Sequence, residues 1–341
     1  MKKAENDDGA TAVLVAILLV VLLGFVALAV DLGRLYAEKA QLQNAADATA
    51  LSIAKSCADA PGSTLCLAPT THAETLAQEN VNDGTVRIVK ADTSVPNRVS
   101  VTTGTKDNSG ESLPYLFAPI LGLTGTDVRA SATVAAGGIS AGPAAFPLAF
   151  SECQFTLSGG VQLIASKGVT MPGCTSKSGN VIPGGFGYLK SPDPTKCDVY
   201  AQASTTIGVP SDTGNASPSM CEALLEKWMS ALEQPDGEVV VLLPVFDKAE
   251  GAVGTGSGGK YFIKSFAAFS VMGWKFSGGD WKASKPMEDP YLYKNAEFVG
   301  QKCTGDCRGI IGKFIRFATL DEDFKTGGTS ELGANRIFFT K

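Results

Sequence analysis

Residues 10–30 (ATAVLVAILLVVLLGFVALAV) hold no charged side chain, and the chain runs on from them into a polar stretch with no Gly–Pro turn between. As a helix rising 1.5 Å per residue, this segment spans about 31 Å, the thickness of a bilayer core. The competing reading is a cleavable signal peptide. Lys2 and Lys3 would form its basic region, and Ala27-Leu28-Ala29 its small-x-small cleavage site. An h-region runs to about 7–15 residues, and this one is longer. The length predicts a retained anchor; residues 1–9 are then a cytoplasmic N-terminus in the orientation that the cysteines, below, favour. Basic residues flank the span on both sides (Lys2 and Lys3 before it, Arg34 and Lys39 after it), so charge bias alone orients it weakly.

Beyond Val30, Leu32, Leu35, Leu42, Ala46, Ala50 and Ile53 recur at helical spacing and make one face. Lys39 falls in that stripe and can snorkel. Arg34, Glu38 and Gln41 read as the opposite, polar face. Asp31 and Arg34 stand three apart and can pair on the helix surface at the membrane exit. An Ala-rich run from Ala45 to Ala54 favours helix and close approach by a neighbour. One helix of about 45 residues, about 65–70 Å long, is the expectation. It ends near Cys57, where Pro61-Gly62 turns the chain and a Cys57–Cys66 bridge would staple the end.

Gly9-Ala10 opening an uncharged span, then Val30, Asp31, Gly33 and Arg34, then Gln41-Leu42-Gln43-Asn44-Ala45-Ala46-Asp47-Ala48, resembles the N-terminal region of TadE/TadG-like proteins of Flp (Tad) pilus assembly. The resemblance covers about Gly9 to Ala54. It implies a single-pass bacterial envelope protein that works structurally with the membrane and with other pilus-assembly or secretion proteins. Gly9 matches the leader-cleavage position of pilin-like relatives. Where those relatives carry Glu, at the fifth mature position, this chain has Leu14, which leaves cleavage after Gly9 or after Ala29 undecided by sequence. Larger members carry a von Willebrand A-type domain with an Asp-x-Ser-x-Ser metal motif. The nearest string, Asp92-Thr93-Ser94-Val95-Pro96, lacks the second Ser, so no such metal site is expected.

Composition narrows the remaining classes. The 341 residues suffice for two modest domains. Net charge is −5 and there is no basic run, which argues against a nucleic-acid partner. All eight cysteines (Cys57, Cys66, Cys153, Cys174, Cys197, Cys221, Cys303 and Cys307) follow the span. An even number on one side of a membrane points to disulfides in an oxidising compartment, and hence to extracytoplasmic C-terminal domains. Zinc fits poorly: His72 is the one histidine, and Cys303 and Cys307 form a CxxxC without a second close pair. Pairings 153–174 and 197–221 are one choice among several connectivities the sequence leaves open.

Along the chain, Thr71-x-x-Glu74 reads as a capping box before a helix over 72–82. Strands are expected at 86–88 and 99–101 around Pro96-Asn97, a helix over 113–121, and a strand over 128–134. With the outer half of the long helix these make a small α+β, pilin-like domain over residues 31–136. The run GGISAGPAA, 137–145, reads as a linker. Residues 146–341 read as a β-rich, disulfide-bonded domain with strands at 238–246, 261–276, 312–319 and 336–340, and one helix over 220–232. That helix's apolar set, Leu224, Leu225, Trp228, Met229 and Leu232, has core spacing. The fold class is α+β.

Three patterns mimic chemistry. GTGSGGKY, 254–261, matches phosphate-binding loops by letter, but a strand-like run follows where a helix is required. Ser52-x-x-Lys55, Ser178-Gly-Asn180 and Lys325-Thr-Gly327 occur in the order used by penicillin-binding enzymes. Ser52, however, lies in the helix leaving the membrane, and FKTGGTS reads as a loop. Asp321, Glu322 and Asp323 read as a solvated cluster. No catalytic residue, nucleotide, cofactor or metal is expected. An anchored surface receptor or adhesin is the alternative function, and a penicillin-binding-type serine enzyme a distant third.

Overall fold

The computed structural model describes residues 8–106, 110–157, 160–193, 195–212, 219–253, 258–276, 303, 305–328 and 330–340. The chain divides into two compact units. The first comprises residues 1–57, 61–135 and 339–341, the second 58–60 and 136–338.

One helix runs unbroken from Asp8 to Asp59, 52 residues or about 78 Å. Among the described residues it is the one helix long and apolar enough to cross a membrane. Every side chain from 11 to 30 is exposed except the half-buried Ala27, as expected of a surface made for lipid. The character changes at residue 31. Asp31, Glu38, Leu42, Ala45, Ala46, Thr49, Ala50, Ile53 and Ala54 are buried, a face recurring at steps of three, four and seven. The expected stripe holds from Leu42 onward. Leu32 instead is exposed, and Glu38, expected on the polar face, is buried.

In the first unit this face packs on a short helix and an antiparallel sheet. Leu42 and Ala45 meet Ala77, Val86 and Ala130 in one core cluster. The short helix runs Pro69–Gln78 and is opened by Pro69 in its first turn, with no side-chain cap. Proline there forfeits only an N–H that has no helical partner, so the capping box expected at Thr71 is not the start of this helix. Strands Val86–Asp92 and Arg98–Thr105 pair antiparallel, and the second pairs with residues 129–135. Asp92 ends the first strand: its carboxylate accepts from Ser94 N at 2.9 Å and pairs with Lys90 at 2.6 Å. That pairing and hairpin geometry hold its carboxyl well below the usual range. Asn97 takes the left-handed conformation that closes the loop.

The expected helix over 113–121 is mostly absent. Leu113–Pro114 and Gly125–Thr126 form a two-stranded ribbon, with a single 3-10 turn, Ala118–Leu121, between them. Pro119 sits in the first positions of that turn, and Gly122, at φ 83°, ends it.

The stretch read as a linker, 137–145, is instead mostly strand. Arg129–Ala144 is one strand, and within the second unit its later residues pair with Val199–Gln202 and Lys325–Gly328. Its glycines serve packing rather than mobility. A Cβ on Gly142 would sit 2.2 Å from the buried Phe324 ring, and one on Gly137 would sit 3.1 Å from Thr326 Cβ. The same pairing makes Lys325–Gly328 a strand where a loop was expected.

The second unit is β-rich. Its largest sheet runs Phe186–Tyr188, Leu148–Ser151, Val239–Glu250, Lys260–Lys275, Arg308–Ile315, Gln162–Lys167, antiparallel except where 148–151 lies parallel to 239–250. The core is aromatic: Phe150, Phe269 and Phe314 pack within 5.3 Å of one another, ring centre to ring centre. Helix Glu222–Glu233 lays Trp228 against Phe146 and Trp274. Disulfides join Cys57 to Cys66 in the first unit, and Cys153 to Cys174, Cys197 to Cys221 and Cys303 to Cys307 in the second.

Candidate functional site

The motif residues at the end of the apolar stretch are the most organised polar group on the long helix. Asp31 is 4 % exposed. Its Oδ1 accepts from Leu116 N at 2.8 Å, and its Oδ2 accepts from Phe117 N at 3.1 Å and Ala118 N at 2.8 Å. One carboxylate therefore satisfies three successive backbone donors where the chain enters the 3-10 turn. Burial pushes the Asp31 carboxyl up. The bonds from Leu116, Ala118 and Phe117, with the Arg34 charge, outweigh that and hold it below its ordinary 3.8. Arg34 Nη1 donates to Pro114 O at 2.9 Å. The sequence suggested a surface ion pair between Asp31 and Arg34. The structure gives each a bond to one loop, some 80 residues away in the chain. Gly33 between them is open to its surroundings, with nothing within 4 Å of where a Cβ would sit.

The clamp continues up the helix as a ladder. Lys39 Nζ donates to Arg129 O, Gln43 Nε2 to Ser131 O, and Asn82 N to Gln41 Oε1. Thr103 Oγ1, fully buried, donates to the helix carbonyl of Leu42 at 2.8 Å. Glu38 sits in this seam. Its burial, then the nearby Asp83 charge, raise its carboxyl above the ordinary 4.5 against the lowering influence of Thr105 and Arg34. Neither Asp31 nor Glu38 announces its burial in sequence. The one available signal was their seven-residue spacing, in phase with Leu42, Ala45 and Ala46.

The structure places the other expected positions as follows. Gly9 lies in the first turn of the long helix, and Ala29 lies within it. His72 is exposed on its short helix. Ser178 Oγ donates to Asp247 Oδ2 at 2.5 Å in a turn closed by Gly179. Ser52 lies on the long helix, and Lys325 Nζ meets Glu322 O. Asp321 caps its own turn, accepting from Asp323 N, while its carbonyl accepts from Arg336 Nε. Of the glycine-rich loop, 254–257 lie outside the described residues, and Lys260 opens a strand where phosphate binding needs a helix. Among the described residues no cluster of three or more His, Cys, Asp or Glu is arranged to hold a metal. The second unit has a cavity of about 300 Å³ lined by Leu232, Asp236, Glu238, Ser270, Met272 and Lys313. Its Ser270 hydroxyl is bonded to Glu238 at 2.9 Å.

No curated protein and no solved structure matches the chain. A family model does: residues 9–54 match Tad, the TadE/G-like Flp pilus-assembly family. The matched segment starts one residue after the helix begins and includes Asp31, Gly33, Arg34, Glu38 and the buried stripe to Ala54. Over Gly9 to Ala54, the long helix of this chain is thus similar to the TadE/G-like Flp pilus-assembly family.

Proposed function

We infer that the chain is a membrane-anchored envelope protein acting structurally in Flp/Tad-type pilus assembly or a related secretion machine. The observation that carries this reading is the family match over the helix that, among the described residues, is the one suited to span a membrane. In this reading residues 10–30 cross the membrane once. Residues 1–9 stay in the cytoplasm, and everything after Val30 lies outside. Four disulfides downstream of the span support that orientation, because such bonds persist in oxidising compartments.

The mechanism is mechanical rather than catalytic. The span anchors, the clamped helix projects from the bilayer, and residues 31–136 form a small pilin-like domain on it. Residues 146–341 then present interaction surface to partners outside. Pilus-assembly components are the partners this implies, with no nucleic acid, nucleotide, cofactor or metal. Co-purification from gently solubilised membranes tests it. Tad-type assembly proteins should come down with the chain, and its deletion should impair piliation. Normal piliation with no such component captured would reject the reading.

An anchored receptor or adhesin is the second reading, favoured by the polar cavity around Glu238, Ser270 and Lys313. Deleting 146–341 would then abolish ligand or surface binding and leave piliation intact.

A further inference from the structure

The loop held by Asp31 and Arg34 has a composition unlike the surface around it. Residues 113–126, LPYLFAPILGLTGT, are 14 residues without a charge, bounded by Glu111 and Asp127. Its large apolar side chains face outward: Leu116 is 60 % exposed, Phe117 43 %, Ile120 87 % and Leu123 57 %. Four such residues clustered in one short loop are unusual on a surface meant only for water.

Position explains them. The ladder from sheet to helix descends in order. Ser131 meets Gln43, Arg129 meets Lys39, Pro114 meets Arg34, and Leu116–Ala118 meet Asp31. Each step moves toward the apolar segment, and the last reaches the residue directly after Val30, about 1.5 Å along the axis. The loop thus sits level with the end of the 10–30 stretch, whose side chains are themselves exposed. Tyr36, 76 % exposed, stands just above, where amphipathic aromatics gather at a bilayer surface.

We propose that the 113–126 loop is a second membrane contact. It lies in the headgroup–acyl boundary of the leaflet where the helix exits, with Leu116, Phe117, Ile120 and Leu123 against lipid. The lipid surface is the occupant because the loop is tied to the residue directly after the apolar segment, and no charge interrupts it. The consequence is a two-point attachment: the span fixes depth, and the loop fixes the first unit's rotation about the helix. The proposal rests on the reading of 10–30 as a membrane span.

Site-directed spin labels on the full chain in phosphatidylethanolamine–phosphatidylglycerol vesicles test it. All eight native cysteines are bridged, so one new cysteine takes the label. Ile120→Cys is the probe, Leu123→Cys the second, Leu22→Cys the span control and Val95→Cys, at the far end of the sheet, the aqueous control. Labels at 120 and 123 should be more accessible to oxygen than to a water-soluble nickel chelate, as at 22, with the opposite ratio at 95. Adding Asp31→Asn should move the 120 label several-fold toward water while 22 stays in lipid. A 120 label as aqueous as 95, with 22 in lipid, overturns the proposal and leaves the span standing. A 22 label in water removes the span and the proposal together. Water accessibility at 120 in vesicles but shielding from both reagents in native membranes would also overturn it, in favour of a protein partner.

Discussion

Asp31 and Glu38 share one face of the long helix and titrate in opposite directions. Asp31 is held below 3.8 in the folded chain, so its contribution to stability is present above that value and is lost as pH falls through the folded one. Glu38 is raised above 4.5 by burial and by Asp83, so its contribution is present below 4.5 and is lost as pH rises through the folded value. Replacing Glu38 with Gln keeps the shape and removes the charge. The Glu38→Gln protein should melt higher than wild type at pH 7–8, and the gap should close below pH 4. Equal melting temperatures across that range would refute the assignment. Asp31→Asn leaves a neutral acceptor before three donors. Amide exchange at Leu116, Phe117 and Ala118 should speed up roughly tenfold at neutral pH, read from a peptide covering 113–124, with little change at Val99 or Val101. These two residues also show where sequence falls short. A carboxylate in a helical pattern reads as a solvated face. What buries Asp31 is a backbone turn some 85 positions later, and its donors belong to no particular side chain.

Elements with a strong local period were legible. The charge-free run fixes the span, and the spacing of Leu42, Ala46, Ala50 and Ile53 fixes the packed face. Alternation fixes strands such as Arg98–Thr105, whose burial follows Val99 and Val101. Failures came where glycine and proline carry two meanings. In 137–145 glycine signalled mobility, but Phe324 and Thr326 need its missing side chain to pack on the strand. In 113–121 Pro114 suggested a helix start, yet that residue sits in a ribbon paired with Gly125. Cysteine pairing was similarly open, because many connectivities satisfy one set of spacings. Loop length ranks the bridges of the second unit. Removing Cys197–Cys221, which closes 24 residues, should cost about 3.5 kcal/mol by chain entropy, and removing Cys303–Cys307, which closes 4, about 2 kcal/mol. Urea unfolding of the two double Cys→Ser variants compares them, and a larger loss at 303–307 would contradict the ranking.

The whole chain joins an apolar, exposed segment to two compact units, and in the proposed reading its cysteines report which side of the membrane those units occupy. In intact cells, a membrane-impermeant maleimide should label the chain only after reduction, and then at up to eight positions. Labelling only after the inner membrane is opened would reverse the proposed orientation, and labelling of intact cells without reductant would contradict the four bridges. The division into units near residue 135 was legible only as a change in composition, because a single strand, Arg129–Ala144, runs through it.

Asp31 recognises its loop through peptide N–H groups, which every residue except proline supplies. Substitution is therefore constrained unevenly on the two sides of one interaction. The carboxylate has no equivalent replacement, whereas positions 116, 117 and 118 can exchange one apolar side chain for another and keep every bond. The loop's chemistry is thus free to drift to suit membranes of different thickness or headgroup, while its tether to the helix stays the same.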